Sequence, residues 1–77
     1  MEPDRFNECL KLLHWSTETL AGILECDASL TASYAFGLEE IPPKLAAWLD
    51  TLALVHATAA SGRPTGLKGK RYTGMSN

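Results

Sequence analysis

Apolar side chains in residues 1–60 recur at spacings of three and four, which is the period of an α-helix. Phe6, Leu10 and Leu13 share one helical face in this way, and Pro3 suits a first helical turn. The pattern predicts a first helix over residues 3–13. Nothing in the chain alternates at period two for long enough to predict a strand, so we expect an all-α fold of four helices.

Two capping residues predict a second and a third helix that are separated by a very short turn. Ser16 offers a hydroxyl to the free N–H groups of the second helix, and Glu18 suits its first turn. Asp27 repeats the capping pattern and predicts a third helix over residues 28–36. The inward face of the second helix is assigned to Leu20, Ile23 and Leu24.

A glycine and a pair of prolines divide the third helix from a fourth. Gly37 is a natural terminator, and Pro43 suits the start of a helix predicted over residues 43–60. Ala47 and Leu54 point away from its main apolar face, which predicts that they form a homodimer interface. That main face is assigned to Leu45, Trp48, Leu49, Leu52, Val55 and Ala59.

Charge divides the chain into an acidic body and a basic tail. The length of 77 residues suits one domain, which we place at residues 1–60. This body carries three basic and nine acidic side chains, a net charge of −6. Residues 61–77 carry four cations and no acid, a net charge of +4, and they have no periodic apolar face, so we expect a disordered tail. The four cations are Arg63, Lys68, Lys70 and Arg71.

Several classes of function are disfavoured. No apolar stretch approaches the roughly 20 residues that span a bilayer, and the acidic N-terminus is unlike a signal peptide, so we expect a cytoplasmic protein without a membrane partner. Cys9 and Cys26 are expected to be free thiols, and no paired Cys or His spacing predicts a metal site. The chain has no strained nucleophile turn and no glycine-rich phosphate loop, so we expect neither an enzyme nor a cofactor.

A series of landmarks lies in residues 13–52, which read LHWSTETLAGILECDASLTASYAFGLEEIPPKLAAWLDTL. The landmarks are a Leu-Ala pair at 20–21, a late aromatic Tyr34, Gly37 and an Ile-Pro pair at 41–42. Their order and spacing resemble the Cro/repressor helix-turn-helix family of DNA-binding domains, over about half of the chain. Glu25 stands where that family usually has a glycine in its turn, and Thr31 stands where it usually has a buried aliphatic residue.

The resemblance implies that the third helix enters the major groove of double-stranded DNA. It places Thr17 near phosphate and gives the base-reading positions to Ala28, Ser29, Ala32 and Ser33. Lys and Arg are missing from the third helix, so the tail cations are the candidates for phosphate contact. The alternative for the tail is a solvated segment that keeps the protein soluble.

The sequence therefore predicts a small transcriptional regulator of the repressor type that binds DNA as a homodimer. The alternative is a protein-interaction module of the same shape that uses its acidic body to bind a basic protein, for example as an antiactivator or a DNA mimic. The position of the acids relative to the third helix separates the two hypotheses. These acids are Glu18, Glu25, Glu39 and Glu40.

Overall fold

The computed structural model describes residues 1–72 and contains four α-helices, with no strand in that range. The helices are α1 (Pro3–Leu13), α2 (Thr17–Leu24), α3 (Ala28–Ala35) and α4 (Pro43–Ser61). The predicted all-α class is confirmed. The predicted ends of the third and fourth helices each differ from the structure by one residue, which is the usual uncertainty at a helix end.

The core lies where α1 packs against both α3 and α4, while α2 packs against α3. Phe6 of α1, Leu20 of α2 and Leu49 of α4 are fully buried. The ring of Phe6 meets that of Tyr34 on α3 edge-on, with 5.9 Å between the ring centroids. An edge-to-face aromatic contact stabilises the fold beyond the contribution of the apolar area that the two rings bury. Phe6 therefore joins α3 to α1 at the centre of the molecule.

The predicted cap of α2 is confirmed, and that of α3 is confirmed in position only. Ser16 Oγ accepts a hydrogen bond of 3.0 Å from the backbone N–H of Thr19. Asp27 occupies the N-cap position of α3, but its carboxylate accepts no hydrogen bond from the first turn. The Asp27 side chain is consequently left exposed beside α3.

The turn between α2 and α3 requires a left-handed residue, and Glu25 supplies it with φ 56°. This conformation costs a residue with a Cβ about 1 kcal/mol or more. The turn is held in place by two backbone hydrogen bonds, from Glu25 N to the carbonyl of Gly22 (3.3 Å) and from Cys26 N to that of Ala21 (3.0 Å). The chain thus adopts the backbone that a glycine would favour, although it has none there.

Thr31 is fully buried on α3. Its Oγ1 lies 2.7 Å from the carbonyl oxygen of Thr17 and 3.0 Å from that of Ala28, so its proton always has an acceptor. The neighbouring Leu30 is 40% exposed. The polar residue at a core position therefore leaves the α2–α3 packing intact.

The inward face predicted for α2 is wrong in part. Leu20 is buried as expected, but Ile23 is 47% exposed and Leu24 37% exposed, and the second buried position is Ala21. The small Ala21 side chain lies on the side of α2 that approaches the neighbouring helices. The larger Ile23 and Leu24 remain at the rim of the contact between α2 and α3, which is the main neighbour of α2.

The main apolar face predicted for α4 is also wrong at its C-terminal half. Leu49 is buried, but the second fully buried residue is Ala53, whereas Val55 is 58% exposed and Ala59 is exposed. The side of α4 that is covered differs from the predicted stripe: His56, the residue after Val55, meets His14 at the end of α1 with 5.7 Å between the ring centroids. Leu12 and His14 also line a depression with Ala57 and Ala60 of α4, and Val55 and Ala59 do not line it. The covered face of α4 is therefore rotated from the stripe that the periodicity predicted.

A polar contact links α1 to α4 at the edge of the core. Arg5 Nε donates a hydrogen bond of 2.8 Å to Asp50 Oδ1, and Arg5 also pairs with Glu8. Cys9 Sγ lies 3.8 Å from the same Asp50 oxygen. Burial raises the pKa of the Cys9 thiol, and the neighbouring Asp50 carboxylate raises it further, against the opposing charge of Arg5.

We expect the Gly22→Ala variant to be more stable than the natural chain by about 0.5–1 kcal/mol, because a helix-interior glycine costs that much relative to alanine. A Cβ at Gly22 would meet nothing within 4 Å. The matched control is Gly37→Ala, which we expect to destabilise because Gly37 has φ +75° and a Cβ there would lie 3.2 Å from Pro3 Cγ. Urea denaturation followed by circular dichroism measures both variants. Equal shifts in the same direction would contradict this account of the two glycines.

We expect the two thiols to differ in reactivity, because only the thiolate is nucleophilic. Cys9 is buried with a raised pKa, whereas Cys26 is partly exposed. Alkylation by iodoacetamide at pH about 8 should modify Cys26 first, with Cys9 slower by at least about tenfold. Cys26→Ser should leave one slow thiol in the native chain and one fast thiol in denaturant. Equal native rates would be inconsistent with the buried position of Cys9.

Candidate nucleic-acid interface

The outer surface of α3 carries short side chains. Ala28 and Ser29 in its first turn are exposed, and Ala32 and Ser33 one turn later are half-buried. Ser33 Oγ donates a hydrogen bond of 2.5 Å to the carbonyl of Leu30, so its proton is used within the helix. The structure brings the four predicted base-reading residues together on one side of α3, with the first two most accessible.

Thr17 begins α2 and is half-buried next to α3. Its carbonyl oxygen accepts from Thr31, which fixes the N-terminus of α2 against α3. The first turn of α2 has free backbone N–H groups, which favour an anion. Glu18 lies in the same turn and is exposed.

Two carboxylates border the α3 surface. Asp27 and Glu39 line a shallow depression of about 550 Å³ together with Ser29 and Ser33. Glu39 is one of the four acids named from the sequence, whereas Glu18, Glu25 and Glu40 do not line this depression. Asp27 was expected to cap α3, so its carboxylate was not counted among the free negative charges at this surface. Negative charge at this place lowers the local affinity for phosphate.

Large apolar side chains are also exposed around α3. Phe36 is 78% exposed and Leu38 is 76% exposed, directly after the helix. Sequence reasoning missed both, because the turn at Gly37 makes the later Ile41 the residue that enters the core. Two exposed apolar side chains of this size so close together make the end of α3 a candidate contact surface.

An apolar groove of about 470 Å³ lies between the α2–α3 pair and the first turns of α4. One wall is formed by residues of the α2–α3 pair and the other by Pro42 and residues of α4. The groove shares Cys26 and Leu30 with the depression that contains Asp27 and Glu39, so the two are continuous. We call the two together the α3–α4 groove. The apolar part is lined by Leu24, Cys26, Leu30, Tyr34, Pro42, Lys44, Leu45 and Trp48.

The basic segment after α4 is exposed throughout its described part, residues 62–72. Its backbone makes turns, with hydrogen bonds from Lys68 N to the carbonyl of Thr65 (3.1 Å) and from Lys70 N to that of Leu67 (3.0 Å). In the range 1–72, ion pairs involve Arg5 and none of the four basic-segment cations. The last five residues of the predicted tail, 73–77, lie outside the described residues.

The side of α4 that faces away from the core is uncharged beyond Asp50. Ala47 is exposed and Leu54 is 67% exposed, as expected for a surface opposite the core. The hydroxyls of Thr51 and Thr58 donate to the carbonyls of Ala47 and Leu54, each at 2.9 Å, and thereby satisfy their polar groups within the helix. This outer face of α4 therefore presents mainly methyl groups.

The described residues hold no grouping of three or more His, Cys, Asp and Glu side chains that suits a metal ion. His14 and His56 approach edge-on with 5.7 Å between ring centroids, but no third ligand joins them. Among helices in the described range, none combines the length and apolarity that a bilayer-spanning segment needs.

Compared with known protein families, with curated proteins and with solved structures, the chain matches none of them.

Proposed function

We propose that the protein is a small DNA-binding regulator in which α2 and α3 form a helix-turn-helix and α3 enters the major groove. The observation that carries the proposal is the first turn of α3. Ala28 and Ser29 are exposed there, directly after the short turn at Glu25, and both side chains are short. Serine hydroxyls accept or donate to any base edge, and alanine suits a thymine methyl.

The basic segment supplies the attraction to phosphate in this proposal. Its four cations are exposed and follow α4, and residues 61–77 contain no acid. Four neutralised phosphates correspond to a slope of about −3.6 per chain in a plot of log affinity against log salt. α3 then orients the protein on the duplex while the segment provides most of the affinity.

The outer face of α4 makes the dimer contact in this proposal, centred on Ala47 and Leu54. A two-fold pair presents two copies of α3 to successive half-sites. The methyl-rich surface with internally bonded Thr51 and Thr58 supports close approach of two α4 helices, because no polar group is left without a partner.

A second candidate function is binding of a basic protein. The observation that favours it is the position of Asp27 and Glu39 beside Ser29 and Ser33, on a body with a net charge of −6. A cationic partner would meet on α3 the charge that repels phosphate.

We expect selection from a random duplex pool at moderate salt to enrich a palindrome. Lys70→Ala should then lower the magnitude of the salt slope by about 0.9, the value for one phosphate contact. Lys11→Ala removes the same charge from α1 and should leave the slope unchanged. Recovery of no preferred sequence by the natural chain would contradict sequence-specific DNA binding.

The two candidate functions give opposite results for the acids beside α3. We expect the double variant Asp27→Asn, Glu39→Gln to bind duplex DNA more tightly, by about threefold to tenfold at low salt, because it removes two like charges near phosphate. Fluorescence anisotropy of a labelled duplex measures the change. Unchanged DNA affinity together with weaker binding to a poly-lysine probe would favour the protein-interaction candidate.

We expect Leu54→Lys to dissociate the dimer, because it places a charge at the centre of the outer face of α4. Leu38→Lys is the matched control, since Leu38 is 76% exposed and Leu54 67% exposed, and Leu38 lies after α3. Sedimentation equilibrium at about 500 mM salt isolates the apolar contact from attraction between charges. A natural chain that is monomeric at tens of micromolar, or a dimer that Leu54→Lys leaves intact, would rule out this interface.

A further inference from the structure

The α3–α4 groove combines two properties that the proposed function does not use. Its apolar part holds Leu30, which is 40% exposed, and Trp48, which is 38% exposed, on opposite walls. Its continuation over α3 holds the carboxylates of Asp27 and Glu39. A ligand that fits both parts carries an apolar side chain followed closely by cations.

The chain contains one segment with that chemistry. Leu67 lies within the turn closed by the hydrogen bond from Lys68 N to the Thr65 carbonyl, and it is 70% exposed. Lys68 and Lys70 follow it, and residues 61–77 contain no acid. The segment carries a net charge of +4 and the body −6, so the attraction between the two is built into the sequence.

We propose that the α3–α4 groove binds the basic segment of a second copy of this chain, with Leu67 between Leu30 and Trp48, and with Lys68 and Lys70 against Asp27 and Glu39. The one cation of the groove, Lys44, belongs to the α4 wall and lies among the residues of the apolar part. The acids lie in the part of the groove that extends over α3. The segment therefore enters with its cations directed toward α3.

The length of chain between the groove and Leu67 determines whether the groove can bind the segment of its own chain or only that of a second copy. Thirteen residues of α4 separate Trp48 from Ser61, a distance of about 20 Å along the helix axis. The six residues from Ser61 to Leu67 span about 20 Å only when fully extended, and here they include a turn. Leu67 of the same chain therefore falls short of its own groove, whereas two copies can exchange segments about a two-fold axis.

This exchange does not require DNA binding, but it has a consequence for the proposed function. The docked segment covers Ser29 and Ser33 and uses the cations that would contact phosphate. Self-association through the groove and binding to DNA then exclude each other.

We expect the Leu54→Lys chain, which lacks the α4 contact and serves as the background for the variants below, to self-associate at about 20 mM salt. This association should weaken as salt rises, since the Debye length falls from about 20 Å to a few ångströms by about 500 mM. Leu30→Lys should weaken the low-salt association by about tenfold or more, because it places a cation where an apolar side chain is buried. Leu12→Lys is the matched control: Leu12 is 38% exposed on α1, outside the groove. Sedimentation velocity measures the constants, and circular dichroism checks that both variants fold.

Reversing the charges of the groove in one variant and of the segment in another tests whether the bound segment comes from a second copy. In the Leu54→Lys background, the variant Asp27→Lys, Glu39→Lys and the variant Lys68→Glu, Lys70→Glu should each lose low-salt association alone, because groove and segment then carry like charges. Mixed in equal amounts they should recover a one-to-one pair, since each groove meets an opposite segment.

Three results would overturn the proposal. The first is a natural chain that stays monomeric at about 100 µM and low salt. The second is an association that Leu30→Lys leaves intact and Leu54→Lys abolishes, which would assign it to α4. The third is a mixture that fails to recover the pair. Failure to select a DNA sequence leaves all three readouts measurable, so the proposed function and the segment exchange fail separately.

Discussion

Burial of Phe6 is the contact on which the arrangement of the helices depends. α3 and α4 both pack on α1, and the fully buried Phe6 meets Tyr34 of α3 on the side where α1 also covers Leu49 of α4. The α2–α3 pair is thus attached to the rest of the molecule mainly through one helix. An 8.4 kDa chain buries a small share of its surface, so this core leaves several large apolar side chains at the surface. The groove and the exposed Phe36 and Leu38 follow from that shortage of cover.

Local signals were sufficient to predict the helices, because capping residues, prolines and a terminating glycine act within a few residues of their own position. Ser16, Pro43 and Gly37 each mark an end that the structure reproduces. Periodicity was not sufficient to predict which face of each helix is buried. Val55 and Ala59 fit the apolar stripe of α4, but the end of α1 packs beside His56 and Ala57, on another side of the helix. Burial depends on which side of a helix its neighbour covers, and the periodicity of one helix does not contain that information.

The sequence was sufficient to predict which residues share the surface of α3, but not which charges border that surface. The sequence places Ala28, Ser29, Ala32 and Ser33 on one helix, and a helix of that length presents them on one side. The carboxylates that border this surface come from the turn before α3 and the loop after it. Their approach depends on the left-handed turn at Glu25 and on the missing capping bond of Asp27, which no pattern of residue types states.

In the two proposals, a DNA duplex and the carboxylates beside α3 compete for the same basic segment. The basic segment is attracted both to phosphate and to the carboxylates beside α3, and the same Ser29 and Ser33 surface lies under either occupant. In the two proposed pairings both attractions weaken with salt, the attraction to a duplex more steeply because it gains from counterion release, whereas burial of Leu67 in the groove would be less sensitive to ionic strength. The balance between the two occupants is therefore set by ionic strength and by protein concentration. Self-association of such a regulator would cover its DNA-binding surface, and a duplex would have to displace the second copy in order to bind.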